Sequence, residues 1–192
     1  MYFARFEEIS GRLYRFDTRI YLQGYCATQE SICVGAIIGK NPGSAQPLQL
    51  GVWAPLELAG DKMLPSVRNR FVAAYGEAGK SIPRNAFVQV WNLFYLCNPK
   101  LREACITIRM LPSHPLCSSE ESTAGVVWYA WGGDDPRLNA FKKRFGSEQD
   151  KAFYYEPHLR SIVTRKPKSS DFAKHPQGMP AEPVVEHMAR LL

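Results

Sequence analysis

The residues best suited to chemistry sit in two segments rich in glycine and proline, residues 39–45 (GKNPGSA) and residues 175–180 (HPQGMP). In the first, Gly39 and Gly43 let a ligand approach the backbone, and successive amides of a tight turn can hold an anion or a water. Lys40 adds a cation, Asn41 an amide and Ser44 a hydroxyl, while Pro42 stiffens the turn. The same residues also read as a plain strand-to-helix turn. They do not form a P-loop, because the G-x-x-x-x-G-K-[ST] spacing is absent. In the second segment, two prolines and a glycine predict a rigid, exposed loop around His175. A histidine so placed can donate a hydrogen bond to a leaving group or oxyanion. Met179 would be an apolar wedge if the partner were a duplex. The alternative is a surface turn with an ordinary histidine.

Further candidates stand apart from these loops. Asn92 follows an apolar run and offers both a donor and an acceptor to a base edge, or else serves a loop backbone. Trp53, Trp91, Trp128 and Trp131 read mostly as core; Trp53, in a loop after the first motif, is the one placed to stack on a ligand. No nucleophile emerges, since Ser44 lacks a G-x-S-x-G elbow. Asp134 and Asp135 are adjacent and point apart, and Asp135 suits a helix cap. His114-Pro115-Leu116 reads as loop. Arg160, Arg165, Lys166 and Lys168 fall in a stretch without an acid, which is either a solvated face or a phosphate-contacting strip.

The elements that must position these groups are legible as periodicities. Residues 12–25 alternate loosely and predict a hairpin, over about 12–27, at a sheet edge. Residues 31–39 (SICVGAIIG), 86–91 (AFVQVW) and 125–131 (GVVWYAW) are apolar runs, as strands covered on both faces are. A helix is predicted over 65–78, another from Pro136 to residue 145, a strand over 161–164 and a closing amphipathic helix over 182–192; residues 111–123 read as loop. Buried strands alternating with helices predict one α/β domain over 1–192, its sheet mainly parallel with helices on both faces. Ligands in such folds sit beyond the carboxyl ends of the strands, which is where Lys40, Asn92 and Trp131–Asp135 fall.

Bulk properties narrow the classes. The 192 residues are 45% hydrophobic, enough for a continuous core. There is no apolar run of membrane-spanning length, and the charged start is not a signal peptide. Five cysteines without a C-x-x-C pair predict free thiols, a cytoplasmic location and no metal site. A net charge of +6 favours an anionic partner, DNA or a nucleotide. The expected state is a monomer without a cofactor.

Taken in chain order, these segments resemble the uracil-DNA glycosylase superfamily. GKNPG (39–43) resembles the G-x-N-P-G water-positioning motif of its mismatch-specific and thymine-DNA branch, and RNRF (68–71) is similar to the N-R-F segment that follows it there. VQVWNL (88–93) is similar to the apolar strand ending in a base-reading Asn. VVWYAWG (126–132) is similar to the strand ending in Trp-Gly, and HPQGM (175–179) to the late H-P-S-x-L or N-P-S-G-L loop. The overall likeness is greater still to a little-characterised bacterial and phage domain family carrying N-P-S-x-A, N-L-F, W-G and H-P in this order. The likeness runs from about residue 14 to residue 180. Two positions depart from the pattern: the first motif has no Asp and no Tyr-His, and Gln177 stands where Ser is usual.

The resemblance implies a three-layer, uracil-DNA-glycosylase-like fold and hydrolysis of an N-glycosidic bond at a flipped, modified or mismatched base. It implies that Asn41 holds the attacking water, His175 stabilises the departing base, Asn92 reads the base edge and Trp53 stacks. Ser44 and Gly43 would touch phosphate, and Met179 would fill the vacated stack. Two other readings use the same scaffold: a non-catalytic nucleic-acid or nucleotide-binding module, suggested by Lys40 and the missing acid, and a base- or nucleotide-modifying enzyme.

Overall fold

The computed structural model describes residues 1–133, 135–145 and 151–192. Along the chain come β1 (Tyr2–Ile9), β2 (Arg12–Tyr21), β3 (Ile32–Gly39), β4 (Gln46–Pro47), β5 (Trp53–Glu57), α1 (Met63–Glu77), β6 (Ala86–Asn92), α2 (Leu101–Met110), β7 (Val127–Tyr129), α3 (Asn139–Arg144), β8 (Ala152–Glu156), β9 (Ser161–Val163) and α4 (Glu182–Leu191). The strands form one sheet in the order β4-β5-β1-β2-β6-β3-β7-β8-β9. Among the described residues no helix is long and apolar enough to cross a membrane.

The sheet is mixed, which corrects the expectation of a mainly parallel one. Among the described strands only β6-β3-β7-β8 run parallel; β1 with β2, β1 with β5, β2 with β6, β4 with β5 and β8 with β9 are antiparallel. The cause at the N-terminal side is local. Ser10 and Gly11 both have positive φ (50° and 70°), the signature of a two-residue turn that folds β2 back on β1. For the same reason β2 is not the expected edge strand: β1 covers one side and β6 the other.

The predicted runs became β3, β6 and a shortened β7. Side chains of β3 alternate between two buried clusters, as a strand's period of two requires. Ile37 packs with Leu64, Val67 and Phe71 of α1 and with Val184 and Met188 of α4. Ala36 and Ile38 pack with Ala104, Cys105 and Ile108 of α2 and with Phe141 of α3. Fully burying side chains such as Val67 and Phe71 contributes roughly 1.5–3 kcal/mol each. The predicted helix after Pro136 is a short 3-10 turn, Pro136–Leu138, followed by α3; Asp135 caps it by accepting from Arg137 N at 3.2 Å. Asp134, paired with it in the sequence reading, lies outside the described residues.

Two features position the site. The parallel register sets Gly39 opposite Asn92, so both strands end abreast. α1 begins at Met63, earlier than Pro65, because Asp61 Oδ1 accepts from Met63 N (2.8 Å) and Leu64 N (3.2 Å). That satisfies two of the donors left open at a helix start.

Candidate functional site

Beyond the carboxyl ends of β3 and β7 lies a cavity of about 370 Å³, lined by residues 39–44, the approach to α1 from Gly60 to its first residue Met63, Trp131, Gly132, His175 and Gln177, with Pro99. The two loops singled out from sequence therefore meet across one cavity of small-molecule size. Gly39, Lys40, Asn41, Pro42, Gly43, Ser44 and His175 all border it.

Asn41 is held by its own amide: Nδ2 donates to Pro42 O (3.0 Å) and Asn98 O (3.1 Å). Both amide hydrogens are thus committed to the turn, and Oδ1 is the atom left to accept from a water or ligand. The Ser44 hydroxyl donates to Ala59 O at 3.4 Å, joining the loop to the residues before α1.

His175 receives a hydrogen bond on Nδ1 from Gln177 N at 3.3 Å. In the neutral ring this places the proton on Nε2, making that nitrogen a donor. Burial, and then the charge of Lys40, push the imidazole pKa below its ordinary value of 6.5. A neutral imidazole with Nε2–H is thus the form present near pH 7. Gln177, at the position where the resemblance leads one to expect Ser, supplies the backbone donor that fixes this tautomer.

The residue that sequence reasoning missed is Asp61. Its Oδ1 caps α1, while its Oδ2 is buried with no hydrogen-bond partner and stands 2.7 Å from where a Cβ on Gly43 would be. Any residue but glycine at 43 would collide with it, so the motif's second glycine makes room for a carboxylate from a different element. An Asp shortly before a helical run signals a cap. Nothing local signals that the same residue borders the cavity.

Asn92 ends β6 fully buried, and neither Oδ1 nor Nδ2 has a partner. Its Oδ1 would lie 3.1 Å from a Cβ on Gly39, so the amide sits directly behind a cavity-lining glycine. Arg15 of β2 is also fully buried, and its Nε, Nη1 and Nη2 have no partner. Burial lowers its pKa, and the fields of Cys97 and Asp61 act against that. Buried polar groups are nearly always paired, so the open amide of Asn92 at the end of β6 is a candidate partner for a water or ligand.

Three expectations are corrected. Trp53 does not border the cavity: it stacks on Phe3 at 4.5 Å, and its Nε1 donates to Asp17 O at 3.0 Å. β5 carries it to the β1 side of the sheet, and Trp131 is the tryptophan on the cavity wall. Met179 is no exposed wedge but packs in the α1–α4 cluster, held by Arg70 Nη2 donating to Met179 O at 2.9 Å. The basic strip is not uniform. Arg165 is paired with Asp171 at 2.7 Å, and Arg160 is exposed in the turn between β8 and β9. Lys166 and Lys168 line a separate recess of about 260 Å³ with Lys142 and Lys143.

No protein-family model, no curated protein and no solved structure matches this chain, so the reading of the site rests on its own residues.

Proposed function

We propose that this chain is a DNA glycosylase-type hydrolase on a uracil-DNA-glycosylase-like, three-layer scaffold, acting on a flipped base. The observation that carries the reading is the convergence on one cavity of an imidazole with a protonated Nε2, an unpartnered carboxylate oxygen and Asn41. Cleaving an N-glycosidic bond puts positive charge on the sugar and negative charge on the departing base. His175 donates from Nε2 to that anion. Asp61 supplies the carboxylate absent from the first motif, accepting the proton of the attacking water and facing the sugar's positive charge. Asn41 Oδ1 orients the water. Asn92 reads the base edge, Gly43 and Ser44 approach a phosphate, and Arg160, Lys166 and Lys168 follow the backbone. The protein acts alone as a monomer without a cofactor.

The test is a panel of DNA duplexes carrying uracil, mismatches and modified pyrimidines, treated with the protein, then alkali, and sized on a gel. Cleavage that disappears in Asn41→Ala and Asp61→Asn while both variants stay folded is the expected result. Intact strands across the panel would sink the reading.

One observation favours a second reading. With Met179 in the core, the apolar side chain of that loop is not free to fill a vacated base stack, which suits a free nucleotide as substrate. Free nucleotides would then raise the melting temperature more than DNA does.

A further inference from the structure

The geometry points to Lys40 as an amine nucleophile toward the aldehyde of an abasic deoxyribose, giving the cavity a strand-cleaving activity besides base release. The inference rests on the glycosylase reading for its substrate. It rests on the structure for its nucleophile. Lys40 lies inside the first motif and borders the cavity together with Asp61, Trp131, Gly132 and His175. Its Nζ stands 3.3 Å from where a Cβ on Gly132 would be, at a residue whose φ of +88° already favours glycine. The ammonium thus occupies space that a side chain at 132 would narrow. Among the described residues no carboxylate pairs with it; Asp135, the nearest candidate by its electrostatic influence, is held by Arg137 at 2.8 Å. A lysine in a ligand-sized cavity with no ion-pair partner has no structural task to explain its place.

An amine attacks only when neutral, so a proton acceptor is required. Asp61 borders the same cavity and has an unpartnered Oδ2; with no ion pair between the two, it takes the proton through an intervening water. Base excision leaves a sugar whose open form carries an aldehyde at C1′. The Nζ lone pair adds to C1′, the carbonyl oxygen takes a proton, and loss of water leaves a protonated imine. Removal of a proton from C2′ then sends its electron pair into a C2′–C3′ double bond, and the C3′–O bond breaks with the 3′ phosphate leaving as an anion. Water hydrolyses the imine and returns the amine. No oxidant or reductant is needed. Holding the amine beside C1′ replaces a bimolecular encounter by a local one.

The experiment supplies the abasic site ready-made, so that it does not depend on excision. A duplex with one abasic site is incubated with the protein and borohydride, which reduces the imine to a stable cross-link seen as a shifted band. The cross-link is expected with the native protein, to fall by at least ~10-fold in Lys40→Ala, and to persist in Lys80→Ala, which removes an exposed lysine outside the cavity. Peptide mapping of the native cross-link is expected to place the adduct on Lys40, which needs no variant to fold. No cross-link, an adduct on another lysine, or undiminished trapping by folded Lys40→Ala would overturn the assignment. Trapping on the abasic duplex with no release from the base-bearing panel would reject the excision reading alone; release without trapping would reject only this inference.

Discussion

Trp53 opens β5 and Trp131 lies just past β7, and their surroundings differ in kind. The polar groups that touch Trp53 are satisfied: the indole N–H donates to Asp17 O, and Arg19 lies 4.9 Å over the ring while bonding Asp17 through Nε (3.1 Å) and Nη2 (3.0 Å). Phe3, Tyr21, Tyr25 and Phe87 complete a packed aromatic cluster. Around Trp131 the opposite holds. Its own Nε1, both amide atoms of Asn92 and Asp61 Oδ2 are buried without partners. The first region is assembled to be stable. The second leaves groups open at a cost of about 1–3 kcal/mol for each buried unsatisfied atom, which a protein sustains where the groups serve a ligand.

The contrast is broken most sharply by Asp61→Asn. Base release should fall by about 10²–10⁴-fold, the usual contribution of a positioned proton acceptor, while an amide oxygen can still cap α1. Full turnover in a base-release assay would remove Asp61 from the chemistry. On the other side, Phe3→Ala should lose about 3–5 kcal/mol in urea unfolding yet keep base release at a permissive temperature. A variant equally stable would mean the aromatic cluster is not a stabilising unit.

Asn92→Leu should move the two properties in opposite directions. Replacing a buried, unpartnered amide by an apolar group of similar size should stabilise the fold by about 1–3 kcal/mol, with loss of base release; a drop in melting temperature would mean the amide is satisfied in solution. A smaller effect comes from pH. Burial lowers the pKa of His175, and of His187 as well. The unfolded chain therefore takes up protons first as pH falls below the ordinary histidine value of 6.5, and stability declines from there down to the depressed folded values. Replacing His175 by Gln should flatten that decline in melting curves recorded against pH. The smallest effect concerns Arg165→Ala, whose surface pair with Asp171 should be worth at most about 1 kcal/mol. Lys166→Ala and Lys168→Ala should each lower the slope of DNA affinity against salt by roughly 1 if these lysines meet phosphates.

How much of this was written locally differs from residue to residue. β3 and β6 were legible because each is buried on both faces and reads as an unbroken apolar run. The loops at 39–44 and 175–177 were legible because glycine and proline crowd at strand ends. β1 was not: a register shift between Phe3 and Arg5 puts Phe3 and Ala4 both inside, so its alternation is broken. α2 does carry a stripe, with Leu101, Ala104, Cys105 and Ile108 at i, i+3, i+4 and i+7, but Ile106 and Met110, exposed on its other face, blur it in the sequence. Asp61 shows the deeper limit. Its cap role is encoded by its neighbours, whereas its place beside Gly43 depends on how α1 docks against the end of β3. Trp131 is core as expected, whereas Trp53 was misplaced for the same reason, since the side of the sheet to which β5 carries it is a property of the whole topology.

The two-residue turn at Ser10-Gly11 also has a kinetic consequence. β1 and β2 can zip within about 1–10 μs, as hairpins do. β3 must wait for α1 to fold before β6 arrives as its parallel partner, and such non-local pairing is slow. In that interval Ile37 and Ile38 have neither their sheet neighbour nor their helices. Refolding yield should therefore fall with protein concentration through pairing of β3 between chains, and the hairpin that forms first does nothing to shield it.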